Sequence, residues 1–393
     1  MPKKKKKKSW QEIQRERQIK QQRVQEAYAT QRDHKVSKQK QRRRSKKKII
    51  IAVVALIAII VGFYLVWQYA PKTFISVYIK ADGSVTPSSA PLSNVGNSYY
   101  TFTADIYGSL VIERDNIIVD GAGHFLQGQG NSSLRGVDLS ERSNVTIMNM
   151  RLSDFVYGIY LHEASHNVIS KNVLTNQNYG ISLESSSSNT IRENSHTSND
   201  YGISLTSSSD NTILENGIAY SEEAIFLSSS NDNSISENQL DYNQDGIWLG
   251  LSSGNDISGN SITRGGVGIW FEDSSNNNIH GNSMTENGGG IALTSSSNNS
   301  ITENTIKENS GGINVVGSSN NVIYHNKFVD NVEQAYASAS TNVWDNGHSS
   351  GGNYWSDYQA KYPSAQELDG SGIWDTPYVI DGNNQDNYPF ITD

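Results

Sequence analysis

The chain has 393 residues, no cysteine, four methionines and a formal net charge of −8. That composition excludes a disulfide-stapled scaffold and leaves few soft sulfur ligands for a metal centre. The net charge also hides two opposite halves. Residues 1–48 carry 20 of the 32 Lys and Arg against 4 acids (+16), and the remaining 345 carry 12 against 36 (−24).

The basic stretch 1–48 begins with a run of lysines. Ser9-Trp10-Gln11-Glu12 then resembles a capping box, and the Gln/Arg-rich residues after it are expected to be helical. Within 49–69, Ile49 to Trp67 are nineteen uncharged, mostly apolar residues, with no charge until Lys72. At the rise of an α-helix they span about 28 Å, enough to cross a bilayer. The basic flank predicts a cytoplasmic N-terminus, with Trp67 and Tyr69 at the outer interface. It is too long for a cleaved leader, and no small-x-small site follows the apolar run. The expectation is therefore a single-pass membrane anchor, with everything after it extracellular or periplasmic. A basic arm beside a membrane attracts anionic head groups, at about 1 kcal/mol per charge. No motif for nucleic acid accompanies it, so no nucleic-acid partner is expected.

Residues 70–104 read as a linker and N-terminal cap. From 105 to 335 a 22-residue period takes over. Asn172, Asn194, Asn216, Asn238, Asn260, Asn282, Asn304 and Asn326 are evenly spaced, each with an isoleucine three residues before it, from Ile169 to Ile323. A Gly-Ile pair keeps the same beat, with Ala224 the one substitute for glycine. Apolar residues alternate over short runs such as Ile203/Leu205 and Ile247/Leu249, a strand period, and Ser, Asn, Asp and Gly fill the turns between them. Three short strands per 22 residues predict an all-β fold, a parallel β-helix whose coils repeat at about 4.8 Å. The isoleucines should stack inside. The asparagines should form a corner ladder in which each amide donates to one neighbour and accepts from the other. Gly136-Val137-Asp138-Leu139 extends the ladder upstream, and residues 116–125 read as an initial coil.

Residues 336–393 read as a capping module whose Tyr354, Trp355, Trp374 and Tyr378 close the core. Its Gly351-Gly-Asn-Tyr-Trp-Ser-Asp-Tyr358, Asp369-Gly-Ser-Gly-Ile-Trp-Asp-Thr-Pro-Tyr378 and Asn387-Tyr-Pro389 are similar to the end module of NosD-like surface proteins, many of them archaeal. The Asn-x-Ile-x-x-Asn and Gly-Ile-x-Leu units likewise resemble the right-handed β-helix repeats of the NosD-type family, within the wider class of carbohydrate-binding proteins and sugar hydrolases. Together the matching stretches run from about 105 to 390. The resemblance implies either a surface β-helix or an accessory of copper-site assembly, as NosD is for nitrous oxide reductase. The sequence departs from a copper-handling pattern: the histidines share no repeat position, and His162 and His166 are the only close pair outside the tail.

The side chain between the two apolar residues of each Gly-Ile-x-Leu strand should face outward. That row reads Tyr160, Ser182, Ser204, Phe226, Trp248, Trp270, Ala292, Asn314. Its aromatics Tyr160, Phe226, Trp248 and Trp270 are candidate ligand-binding residues, because sugar rings stack on aromatic faces. Glu223 and Asp245 share one repeat position on adjacent coils, and Glu272 follows the strand of Trp270. These three are candidate catalytic acids of a polysaccharide-active enzyme, whose two carboxylates would act as nucleophile and acid. In the end module, Asp369, Ser371 and Asp375 alternate with glycines as short calcium loops do, so Ca²⁺ is the cofactor to test. The leading expectation is a membrane-anchored extracellular β-helix with a non-catalytic role, either binding glycan or another cell-surface polymer or serving as surface structure. A polysaccharide hydrolase or lyase and a copper accessory are the alternatives.

Overall fold

The computed structural model describes residues 15, 38, 52–61, 73–130 and 134–392. Two compact units, 1–72 and 73–393, divide the chain. Residues 52–61 of the expected anchor are helical, and its remainder and nearly all of the basic tail lie outside the described residues. Among the described residues no helix is long and apolar enough to cross a membrane.

Residues 73–393 form a right-handed parallel β-solenoid of about eleven coils, with about 22 residues per coil. Three ladders run its length. The first stacks the long strands, among them Tyr157–His162, Tyr179–Glu184, Tyr201–Thr206, Glu223–Ser228, Asp245–Gly250, Val267–Glu272, Gly289–Thr294 and Gly311–Val316. From Tyr157 to Val316 its register is 22 residues, with Ile181 beside Ile203 and Ile247 beside Ile269. The second ladder stacks the strands of Ile147 to Ile323, and the third those of Leu152, Leu174, His196, Ile218 and onward to Phe328. The inner residues of all three are buried, as the alternation predicts.

The glycine of each Gly-Ile pair is dictated by the next coil. A Cβ on Gly180 would lie 2.5 Å from the Gly202 carbonyl oxygen, and one on Gly246 would lie 2.4 Å from that of Gly268. The expected asparagine ladder is present: each Nδ2 donates to the Oδ1 one coil on at 2.9–3.1 Å, from Asn172 to Asn353. Each amide also reaches back to a strand carbonyl, as Asn238 does to Ile213. A second full ladder runs from Asn167 through Asn189 and Asn211 to Asn342. Serine hydroxyls from Ser186 to Ser318 line another corner, each accepting a backbone N–H from the coil before. Residues just before these inward-turned side chains take positive φ, for example Glu193 (+56°) and Glu237 (+55°). Paired polar atoms at most corners let non-glycine residues take these bends.

The solenoid starts earlier than the repeat does. Strand Ile75–Ile79 already pairs in parallel with Ile106–Ile112, and Tyr99–Phe102 with Ile118–Asp120. At the other end Trp355 stacks on Phe328 (4.4 Å) and Tyr378 on Trp355 (4.1 Å). Trp344 and Tyr358 join them, both buried. The asparagine ladder ends on Asp386, which accepts N–H groups from Asn353 (2.7 Å), Trp355 Nε1 (2.9 Å) and Tyr388 (3.0 Å).

Burial pushes the Asp386 carboxyl up to about 7. A folded value above that of the free side chain favours the protonated form in the fold. Its contribution is therefore complete below about pH 4 and is lost as pH rises through 7. Between pH 5 and 7.5 this amounts to about 2–3 kcal/mol. In urea titrations at the two pH values, the wild type should lose that much more stability than Asp386→Asn.

Candidate functional site

The long-strand ladder turns one broad face to solvent, and its side chains form columns. The column just before the Gly-Ile pair carries Tyr157, Tyr179 and Tyr201, whose rings stack at 4.9 and 4.8 Å. On the next two coils it carries Glu223 and Asp245 instead. As the tyrosines stop, the neighbouring column becomes aromatic. Tyr201 meets Phe226 edge-on at 5.3 Å, and Phe226 stacks on Trp248 at 4.6 Å with planes 5° apart. Trp270 stands beside Trp248 in register. One diagonal aromatic band thus crosses six coils, roughly 24 Å at a parallel-sheet spacing.

The expected ligand residues fare differently. Phe226, Trp248 and Trp270 are all half-buried on this face. Phe226 and Trp248 therefore each turn one ring face toward the other. Trp270 alone of the three lacks a ring neighbour among the described residues. The Trp248 indole reclines across Gly250, where a Cβ would lie 2.1 Å from its Cη2. Tyr160 is not open to a ligand: it is 5% exposed, with the Arg135 guanidinium 3.9 Å from its ring centroid. Its hydroxyl donates to Glu184 at 2.5 Å. The sequence missed the tyrosine column, although its 22-residue spacing was there to read.

Of the expected catalytic acids, Glu223 and Asp245 are direct partners on adjacent strands. Glu272 is not brought to them; it pairs with Gly250 at the far end of its strand. Asp245 is 7% exposed and accepts the Val267 N–H at 3.0 Å. Burial raises its carboxyl above the usual range. Burial first, then the neighbouring Asp245 and Glu222, raise Glu223 as well, against a hydrogen bond with Tyr201 that lowers it. Glu223 Oε2 is buried without a hydrogen-bond partner. The eight long strands from Tyr157 to Val316 contain no Lys or Arg. The face is therefore acidic and aromatic.

The expected calcium residues do not form a cage. The Ser371 hydroxyl donates to the Leu368 carbonyl, Asp375 accepts the Gln366 N–H and the Thr376 hydroxyl, and Asp369 lies 3.5 Å from His348. Among the described residues no three His, Asp or Glu side chains converge where a metal could sit.

A family model described as "Periplasmic copper-binding protein (NosD)" matches residues 109–287 and 217–360. No curated protein matches the chain. Among solved structures, the periplasmic alginate epimerase AlgG is 16% identical, with a TM-score of 0.48 over 69% of this chain and 72% of its own. The mannuronan C-5 epimerase AlgE4 A-module of Azotobacter vinelandii is 14% identical, with a TM-score of 0.43 over 65% and 83%. The catalytic domain of a GH87 α-1,3-glucanase is 17% identical, with a TM-score of 0.36 over 63% and 56%. Among the described residues no cluster of three His, Asp or Glu side chains could hold a metal ion. His162 and His166 flank a turn, with His162 beside Glu163 and Glu184, and His166 itself at φ +58°. Met150 and Met284 are buried in the apolar core. With a match across the solenoid that covers more than half of its length, the chain belongs to the NosD family.

Proposed function

We propose that this protein binds glycans along the long-strand face, outside the membrane to which residues 49–69 anchor it. The observation that supports this is the diagonal aromatic band from Tyr157 to Trp270 on a rigid parallel sheet. The indole of Trp270 and the ring faces of its neighbours that stacking leaves uncovered meet the C–H faces of sugars, while phenols and carboxylates meet their hydroxyls. Burial, with nearby carboxylates adding to it, raises the phenols of Tyr179 and Tyr201, so both remain hydrogen-bond donors. The family name places NosD in the periplasm, in keeping with an exterior solenoid. The basic tail then faces anionic lipid on the inner side.

The charge of the face narrows the ligand. Glu223, Asp245 and Glu272 lie on strands that carry no Lys or Arg, whereas Glu184 has His162 and Arg135 nearby. A polyuronate is repelled, and neutral or amino-sugar polymers are favoured. On a glycan array at low salt, the full-length chain should retain neutral and amino-sugar glycans and leave uronates unbound. Binding to amino sugars should weaken in 0.5 M NaCl as screening grows. Uronates as the strongest ligands would overturn the assignment.

A second reading is cleavage of the bound glycan, supported by the raised and partly unpartnered carboxyl of Glu223 beside Asp245. Product release that disappears in Glu223→Gln while binding persists would establish it. Release that is absent from the wild type would remove it.

A further inference from the structure

At the N-terminal end of the same face lies a cavity of about 450 Å³. Its floor is the hydroxyl pair Ser76 and Ser109, hydrogen-bonded at 3.1 Å. These are small side chains on paired strands, so the surface dips there. Gly108 beneath them is at φ +139°, and a Cβ there would lie 1.7 Å from the Ile75 carbonyl oxygen. Phe74, Tyr78, Arg135 and Asp138 also line it. The Arg135 guanidinium donates to Asp138 at 2.7 Å, so the two charges cancel. The cavity is thus amphipathic, uncharged overall and rich in hydroxyls. Its volume is within the range of small-ligand sites and suits roughly one disaccharide.

The cavity also adjoins the aromatic band. Asp138 is the strand partner of Tyr160, and Arg135 covers the Tyr160 ring. A polymer laid along the band toward the N-terminus meets this recess where the long-strand ladder ends, at strands Ile75–Ile79 and Val85–Thr86.

We propose that the cavity is a terminal subsite that receives the end of a neutral oligosaccharide, so that the protein recognises chain ends. This rests on the glycan reading above. A terminal unit turns one face to the Phe74 and Tyr78 rings and its hydroxyls to Ser76, Ser109 and the Arg135–Asp138 pair.

The test uses the full-length chain with two neutral probes, chitohexaose and cellohexaose, each compared with its insoluble polymer, which has few ends. The wild type should bind at least one hexamer about tenfold or more tightly per binding unit than the polymer. Ser109→Trp fills the recess and should abolish that preference while leaving polymer binding within twofold. Phe74→Ala, at an exposed position, removes a lining ring and should weaken the hexamer roughly fivefold even if Ser109→Trp folds poorly. Hexamer binding unchanged in both variants, but weakened by Trp270→Ala, would overturn the end subsite and leave the glycan band standing. No binding of either hexamer or polymer by the wild type would overturn the subsite together with the glycan reading for these sugars.

Discussion

Replacing Asn238 by alanine should cost about 3–5 kcal/mol, a large loss for one exchange on a polar side chain. Asn238 Oδ1 accepts both the backbone N–H of Asn216 (2.9 Å) and its side-chain amide (3.0 Å). Its own amide supplies the Ile213 carbonyl, the Ser236 carbonyl and Asn260. Alanine leaves a buried donor and a buried acceptor unpaired, each at about 1–3 kcal/mol, and opens a gap in the row. The neighbouring Glu237, a turn residue outside the ladder, should tolerate alanine to within about 0.5 kcal/mol. Urea unfolding of the two variants against wild type checks the contrast. Equal midpoints for Asn238→Ala and wild type would mean that the ladder contributes nothing to stability.

His196→Leu should do the opposite. His196 occupies a core place that Leu174 and Ile218 fill on the adjacent coils. It is 1% exposed, and neither ring nitrogen has a partner. Leucine removes two orphaned polar atoms and should stabilise the protein by about 1–3 kcal/mol at pH 7.5. The gain should grow in acid. Burial lowers the imidazole to about 3, so the folded state refuses a proton that the unfolded chain accepts near 6.5. The stability tied to the neutral ring is complete above 6.5 and is lost as pH falls toward 3. At pH 4.5 the wild type has therefore lost about 2–3 kcal/mol that the leucine variant keeps. Thermal or urea unfolding at pH 7.5 and 4.5 reads both effects. Asp386 titrates in the same region with the opposite sign, so the comparison must be variant against wild type at each pH.

What was legible in the sequence was whatever repeats without interruption. The isoleucine rows, the Gly-Ile pairs of the long strands, with Ala224 the one substitute, and the Asn172 ladder recur at one period, and each corresponds to a stack of similar environments. The ladder that includes Gln177, Asn199, Asn243 and Asn287 is broken by Ser221 and Gly265, so its spacing carries a weaker signal. His196 was hidden because a core position is recognised by its apolar residue, and here that residue is polar. The covering of Tyr160 comes from Arg135, which holds the Tyr157 place one coil earlier; the period gives that place but not the reach of the side chain. The outward row of Phe226, Trp248 and Trp270 was readable, but the orientation of its rings was not. Alternation fixes which face a side chain leaves from and says nothing of how neighbours stack. The separation of Glu272 from the acid pair has the same origin, since sharing a face does not mean sharing a column.

The central claim is that a glycan lies on the aromatic band, and isothermal titration of full-length wild type and Trp248→Ala/Trp270→Ala tests it most directly. The titrant is the neutral or amino-sugar oligosaccharide that the array retains most strongly, and circular dichroism confirms that the variant keeps its strands. Loss of the two indoles should weaken binding roughly 10- to 100-fold, about 1.4–2.8 kcal/mol. Equal affinity in a folded double variant, or no oligosaccharide retained by the wild type, would contradict the account.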